Sequence, residues 1–84
     1  MIKLVDKPAA SVLDLAQVRL LARSGQAREL RVDNELSLAD VASAVGSTRA
    51  TISRWERGLR RPRGEVALRY GALLVALGRR LEEQ

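Results

Sequence analysis

Apolar residues recur along this chain at spacings of three and four, the period of α-helices that bury one face. Leu15, Val18, Leu21 and Ala22 form the first such stripe. It predicts a helix that opens at a cap on Ser11 or Asp14 and ends near Arg23. Ser24 and Gly25 then interrupt the pattern, because glycine ends one helix and serine caps another; the alternative is a kink in one long helix. A second helix is predicted over about 26–34, with Ala27, Leu30 and Val32 inward. Leu38, Val41, Ala42 and Val45 follow at i, i+3, i+4 and i+7. Ser37 precedes them as an N-cap, and Asp40 completes a capping-box arrangement with a shorter acid than the usual Glu or Gln. Gly46 stands where a left-handed residue turns the chain. Ser47 or Thr48 caps a fourth helix, which reaches Arg57 and stops at Gly58. After a loop over 59–63 that contains Pro62, a last helix starts at about Gly64. It carries Val66, Tyr70, Leu73, Leu74, Leu77 and Leu81. No stretch reads as a strand, so the expected class is all-α with five helices. Residues 1–10 lack this pattern. Ile2, Leu4 and Val5 suggest a short extended piece and Lys3 and Lys7 a flexible basic arm, which leaves 11–84 as the folded domain.

Composition narrows the function more than the fold. A chain of 84 residues is one domain, and at that size it buries roughly two-thirds of its unfolded surface. Its apolar residues are mostly Ala, Leu and Val, with one Trp, one Tyr and no Phe, which favours close-packed helices. Cysteine and histidine are both absent. No disulfide or thiolate site is possible, and the usual general base and zinc ligand are missing together. Asp14, Asp33, Glu35 and Asp40 read as caps and solvated faces rather than as a catalytic pair. No base is present to activate a serine or threonine. Gly64-Glu65 is no phosphate loop, since no strand precedes it. No catalysis, metal, cofactor or small-molecule substrate is therefore expected. No apolar run approaches the roughly 18 residues of a membrane helix, and Pro8 breaks the N-terminus, so a cytoplasmic chain without a membrane partner is expected.

The charge is concentrated. Between residues 49 and 63 lie six arginines, Arg49, Arg54, Arg57, Arg60, Arg61 and Arg63, against the single acid Glu56. The rest of the chain carries nine basic and nine acidic residues, so the whole net charge of +5 belongs to that window. A solvated basic face is the plain interpretation. The sharper one is a polyanion site, because the planar guanidinium suits phosphates and guanine edges.

The stretch over 37–58, SLADVASAVGSTRATISRWERG, places two short helices around a tight turn at Gly46. Ala42 is small where the helices approach. Val41, Val45 and Ile52 form a core that can fix their crossing. With Ile52 and Trp55 inward, Arg49, Ala50, Ser53 and Arg54 face out. Arg31, Ser37, Val41-Ala42, Gly46, Thr51-Ile52-Ser53 and above all Trp55-Glu56-Arg57-Gly58 before Arg60-Arg61-Pro62 form an ordered set at fixed spacing. In these residues the chain resembles the lambda-repressor-like, Cro/C1-type helix-turn-helix family, over about 26–74. Residues 75–84 read as a C-terminal helix extension.

The resemblance implies a five-helix DNA-binding domain, with its helix-turn-helix at about 38–57 and a recognition helix at 48–57 in the major groove of double-stranded DNA. It places Arg49, Ala50, Ser53 and Arg54 toward the bases. Thr48, Thr51, Arg57, Arg60, Arg61 and Arg63 are placed toward the sugar–phosphate backbone. Glu56 would pair with Arg31 to hold the motif to its scaffold, which also removes the one acid that would repel DNA. Trp55 and Tyr70 read as core residues. The chain departs from the family at Leu38, where Gln is usual, at Gly64, where an apolar residue is usual, and at Gly71, where Ala is usual. The two glycines suggest close helix contacts or a looser last helix.

The implied function is sequence-specific transcriptional regulation, as by a phage or bacterial repressor. The alternatives are an antitoxin, or another module with a protein partner that also binds DNA, and a recombination or architectural accessory factor. Leucines at both ends of the domain exceed what one small core needs. They predict either packing of the terminal helices on each other or a homodimer through them.

Overall fold

The computed structural model describes residues 7–83, which contain five α-helices and no strand. They are α1 (Lys7–Arg23), α2 (Gln26–Asp33), α3 (Leu38–Val45), α4 (Arg49–Glu56) and α5 (Gly64–Glu82). α1 begins at Lys7, ahead of the expected caps, so residues 7–10 are helical rather than part of an arm. Pro8 is compatible with this start, since first-turn N–H groups have no intrahelical acceptor to lose. The expected extended piece at Ile2, Leu4 and Val5 lies outside the described residues. The break at 24–25 is real: Gly25 has φ 91, Ser24 Oγ accepts from Gln26 N at 3.3 Å, and α2 starts as a separate helix.

The capping box at Ser37 forms in full. Ser37 Oγ accepts from Asp40 N at 2.9 Å, and Asp40 Oδ2 accepts from Ser37 N at 2.8 Å. The backbone N–H of Ser37 favours the ionised carboxylate of Asp40 and lowers its pKa.

α2, α3 and α4 end in the same hydrogen-bond pattern. At each, one residue bonds back three positions and the next bonds back five, satisfying carbonyls that the helix leaves open. The pairs are Glu35 N to Val32 O (2.9 Å) with Leu36 N to Arg31 O (3.0 Å), Gly46 N to Ser43 O (3.4 Å) with Ser47 N to Ala42 O (2.8 Å), and Gly58 N to Trp55 O (3.2 Å) with Leu59 N to Arg54 O (2.9 Å). The motif demands a left-handed residue. Gly46 meets that demand at φ 78, whereas Glu35 adopts φ 58 with a side chain attached. Gly64 has φ 77, and a Cβ there would touch nothing within 4 Å. Its departure from the family pattern is thus a matter of backbone handedness at the entrance to α5.

One apolar cluster joins all five helices. It holds Val18 and Leu21 of α1, Ala27 of α2, Val41, Ala42 and Val45 of α3, Ile52 and Trp55 of α4, and Ala67, Tyr70, Leu74 and Leu77 of α5. Leu38 packs against it, half-buried, so the position where the family usually carries Gln serves packing here. Trp55 and Tyr70 stack with ring centroids 5.3 Å apart at a 40° tilt. Val32 departs from expectation. Ala27, Leu30 and Arg31 share the inward face of α2, and Val32 is turned out of it, 45% exposed.

The terminal helices pack on each other, as one of the two expected arrangements has it. α1 packs against α5 where Gly71 meets Val18, and a Cβ on Gly71 would stand 3.2 Å from Val18 Cβ. Gly71→Val is expected to force α1 away, at a cost of about 1–3 kcal/mol from overpacking. Gly78→Ala meets only Leu30 Cδ2 at 3.7 Å and should instead stabilise α5 by about 0.5–1 kcal/mol. Urea unfolding of both variants checks the pair; equal midpoints would mean that the α1–α5 approach is not tight.

Glu35→Gly removes the left-handed penalty at the end of α2. It should raise stability by about 1 kcal/mol, read as a higher Tm. A lower Tm would show that the turn does not hold this conformation in solution.

Candidate nucleic-acid interface

The outward surface of α4 follows from what points inward. Ile52 is fully buried and Trp55 is 5% exposed. Three residues apart, they occupy one side of the helix and leave the other to solvent. At about 100° per residue, the remaining arc runs in order through Arg49, Ser53, Ala50, Arg54 and Thr51. Arg49, Ala50 and Arg54 are exposed, while Ser53, between Arg49 and Ala50, and Thr51, at the edge of the arc, are half-buried. The four residues expected to face bases therefore share one continuous surface.

Thr48 caps α4. Its Oγ1 accepts from Thr51 N at 3.2 Å and donates to Thr51 Oγ1 at 3.1 Å. The Thr48 hydroxyl is engaged within the protein, which leaves the outward hydroxyl hydrogen to Thr51. α4 itself spans Arg49–Glu56, with Thr48 and Arg57 as its caps, one residue inside the expected 48–57 at each end.

Arg57, Arg60, Arg61 and Arg63 are all exposed. A cleft of about 290 Å³ separates α4 from the 59–63 loop and is lined by Thr51, Arg54, Trp55, Arg60, Arg61 and Arg63, among others. Arg54 thus stands at the border of the two sets, on the exposed arc of α4 and in the cleft with the loop arginines. The cleft's lining is cationic and contains no acid. Such a surface offers forked N–H donors to anionic oxygens and to planar acceptor edges.

Glu56, the one acid of the window, is turned away from this surface. Arg31 Nε and Nη2 donate to its Oε2 and Oε1 at 2.7 and 3.0 Å, a bidentate pair. The side chains of Arg31 and Glu56 are 12% and 4% exposed. The third Arg31 donor, Nη1, reaches Leu36 O at 2.9 Å, so one guanidinium ties α2, the α2–α3 turn and the end of α4 together. The hydrogen bond to Glu56 raises the pKa of Arg31, against a weaker lowering by burial. Tyr70 lies close enough to feel both charges, and burial with Glu56 pushes its phenol up, so it stays neutral.

Two further arginines brace the site and were not legible in the sequence. Arg19 Nε donates to Pro62 O at 2.8 Å and fixes the basic loop to α1. Arg69 Nε donates to Val45 O at 3.0 Å, which satisfies the C-terminal carbonyl of α3 from α5. Both acceptors are backbone atoms distant in sequence, for which no residue pattern gives a signal.

A family model described as Helix-turn-helix matches residues 28–83. The match runs from within α2 to the end of α5, beyond the expected limit of 74. No curated protein and no solved structure matches the chain. No helix among the described residues is long and apolar enough to cross a membrane.

Arg31→Ala leaves the Glu56 carboxylate buried and unpaired, and should cost about 3–5 kcal/mol. The double change Arg31→Met with Glu56→Leu should recover most of that loss. Chemical denaturation distinguishes them: a single variant as stable as the parent would show that the pair holds nothing in place.

Proposed function

The chain belongs to the Cro/C1-type helix-turn-helix family, whose members bind DNA as regulators, and from that premise we propose that it binds duplex DNA sequence-specifically as a repressor-like transcriptional regulator, with α4 in the major groove. The observation that carries this reading is the composition of the α4 surface. Arg49, Ala50 and Arg54 are exposed together, and the only acid of the window is withdrawn and neutralised by Arg31.

The roles follow from side-chain chemistry. Arg49 takes a guanine edge through its fork, a contact worth roughly 1–3 kcal/mol of discrimination. Ala50 is short enough to meet a thymine methyl, and Ser53 offers a hydroxyl beside it. Arg54, from the border of the two sets, adds a second fork. Thr51 and the first N–H groups of α4, with Thr48 as cap, face a phosphate. Arg57, Arg60, Arg61 and Arg63 lie along the backbone, where they set register without reading sequence. Leu38 supplies packing and no donor, so base and phosphate recognition fall to α4 and the loop. Regulation on this reading proceeds by occupancy of the bound site.

A homodimer fits this reading, since two such modules read half-sites about one helical turn apart. Val12, Leu13 and Val75 on the terminal helices remain 63%, 71% and 43% exposed and supply apolar area for a second copy.

Selection of bound sequences from a random duplex pool tests the proposal. One enriched site is expected, and no enrichment over bulk competitor at moderate salt would sink it. On the enriched site, Arg49→Ala should relax preference at one base position. Arg61→Ala should weaken all sequences alike and reduce the salt dependence by about one counterion. Equivalent behaviour of the two variants would overturn the division between base and backbone residues.

A further inference from the structure

The loop over 59–63 is a ridge between two arginine-lined clefts, one of which opens along the exposed face of α4. The other, of about 240 Å³, opens toward α1; Arg19, Arg23, Arg60, Arg61, Trp55 and Pro62 are among its lining residues. It shares Arg60, Arg61 and Trp55 with the first cleft, so the two form one continuous basic surface. α1 precedes the matched residues 28–83.

No acid lines the second cleft. The one ion pair among the described residues joins Arg31 to Glu56, so neither Arg19 nor Arg23 has a carboxylate partner there. Arg19 is half-buried and spends its Nε on the Pro62 carbonyl. Arg23 is exposed at the last position of α1, with no side-chain hydrogen bond among the described residues. Four guanidinium groups around so small a space repel one another, and an anion between them offsets that repulsion.

We propose that α1 is part of the DNA-binding surface, and that Arg23, beside Arg60 and Arg61, holds a backbone phosphate of the duplex that α4 reads. The occupant follows from charge complementarity and from continuity with the α4 surface. A strand tracking past the loop arginines meets both clefts in succession. The contact adds affinity and register and carries no sequence preference. This inference rests on the DNA-binding function proposed above.

The test measures binding of the full chain to its selected duplex and to an unrelated duplex across a salt series. Arg23→Ala, Arg23→Lys and Arg79→Ala are compared with the parent. Arg79 is an exposed arginine on α5 that lines a groove with Asp14 and Gln17, away from the loop. Its variant removes the same charge elsewhere. Arg23→Ala should weaken both duplexes by the same several-fold factor. It should also lower the slope of log K against log salt by about one, while Arg23→Lys and Arg79→Ala keep the parent slope. A parent slope for Arg23→Ala overturns the proposal, as does an equal loss for Arg79→Ala. Because Arg23 is exposed, thermal unfolding of Arg23→Ala should match the parent and exclude a folding defect. A parent that prefers no duplex would defeat the proposed function, yet the Arg23 slope on bulk duplex would still report on the α1 contact.

Discussion

The rotational setting of α4 is the constraint from which the surface chemistry of this protein follows. Two side chains, Ile52 and Trp55, fix it by their burial. A helix of eight residues has little intrinsic stability in isolation, so its orientation must come from tertiary contacts. Ile52 enters the cluster beside Val41, Ala42 and Val45 of α3, and Trp55 meets Tyr70 of α5. With those two anchored, Arg49, Ala50, Ser53 and Arg54 have no choice of side. A rotation by one residue would bury a guanidinium and expose the indole, two unfavourable changes at once. Which side chains the surface presents is in this sense a consequence of apolar packing underneath it.

Electrostatics then acts on the orientation that packing allows. Six arginines between residues 49 and 63 repel one another, and a carboxylate nearby would relieve that at the expense of the surface's affinity for anions. Glu56 is instead withdrawn beneath the surface, where its side chain is 4% exposed. The inward rotation that buries Trp55 also carries the next residue toward α2, where Arg31 neutralises it through two hydrogen bonds. A buried pair of this kind is weak as a source of net stability compared with apolar residues of the same shape. Its value lies in alignment. Because Arg31 also grips Leu36 O, the entry to α3 and the exit of α4 are referred to the same group.

The sequence was informative where the physics is local. The capping box at Ser37, the turn at Gly46, the stop at Gly58 and the apolar stripes at spacings of three and four all act within one helical turn, and the residues named for them occupy those places. It was less informative where a contact spans the chain. Arg19 and Arg69 look like any surface arginine, and their carbonyl partners at Pro62 and Val45 carry no side-chain signature. The helical state of residues 7–10 was hidden by Pro8, which breaks a helix in its interior and suits its first turn. Val32 faces out because the inward place on α2 belongs to Arg31, which is drawn in by Glu56. Glu35 gave no hint of its left-handed backbone, since glycine is the residue that usually marks that position. Of the α4 surface, the sequence yielded which residues face out. The shared position of Arg54 and the internal engagement of the Thr48 hydroxyl required the geometry.

α1 links stability to the shape of the binding surface. The helices from α2 to α5 form a unit of fewer than 60 residues, a size at which burial of apolar surface is marginal. α1 adds Val18, Leu21 and Ala22 to the buried set and packs along α5 at a distance that only a glycine at position 71 permits without displacement. The same helix holds Pro62 O through Arg19, and Pro62 sits among the loop arginines. A loop rich in like charges has reason to spread, and one hydrogen bond from a packed helix limits how far. Loosening α1 therefore has two consequences that cannot be separated: apolar surface on α5 is uncovered, and the guanidinium groups of the loop lose their fixed distance from α4. Loop position is tied through Arg19 to a helix whose own placement depends on α5, so changes at the α1–α5 contact should be felt at the basic surface without any residue there being altered.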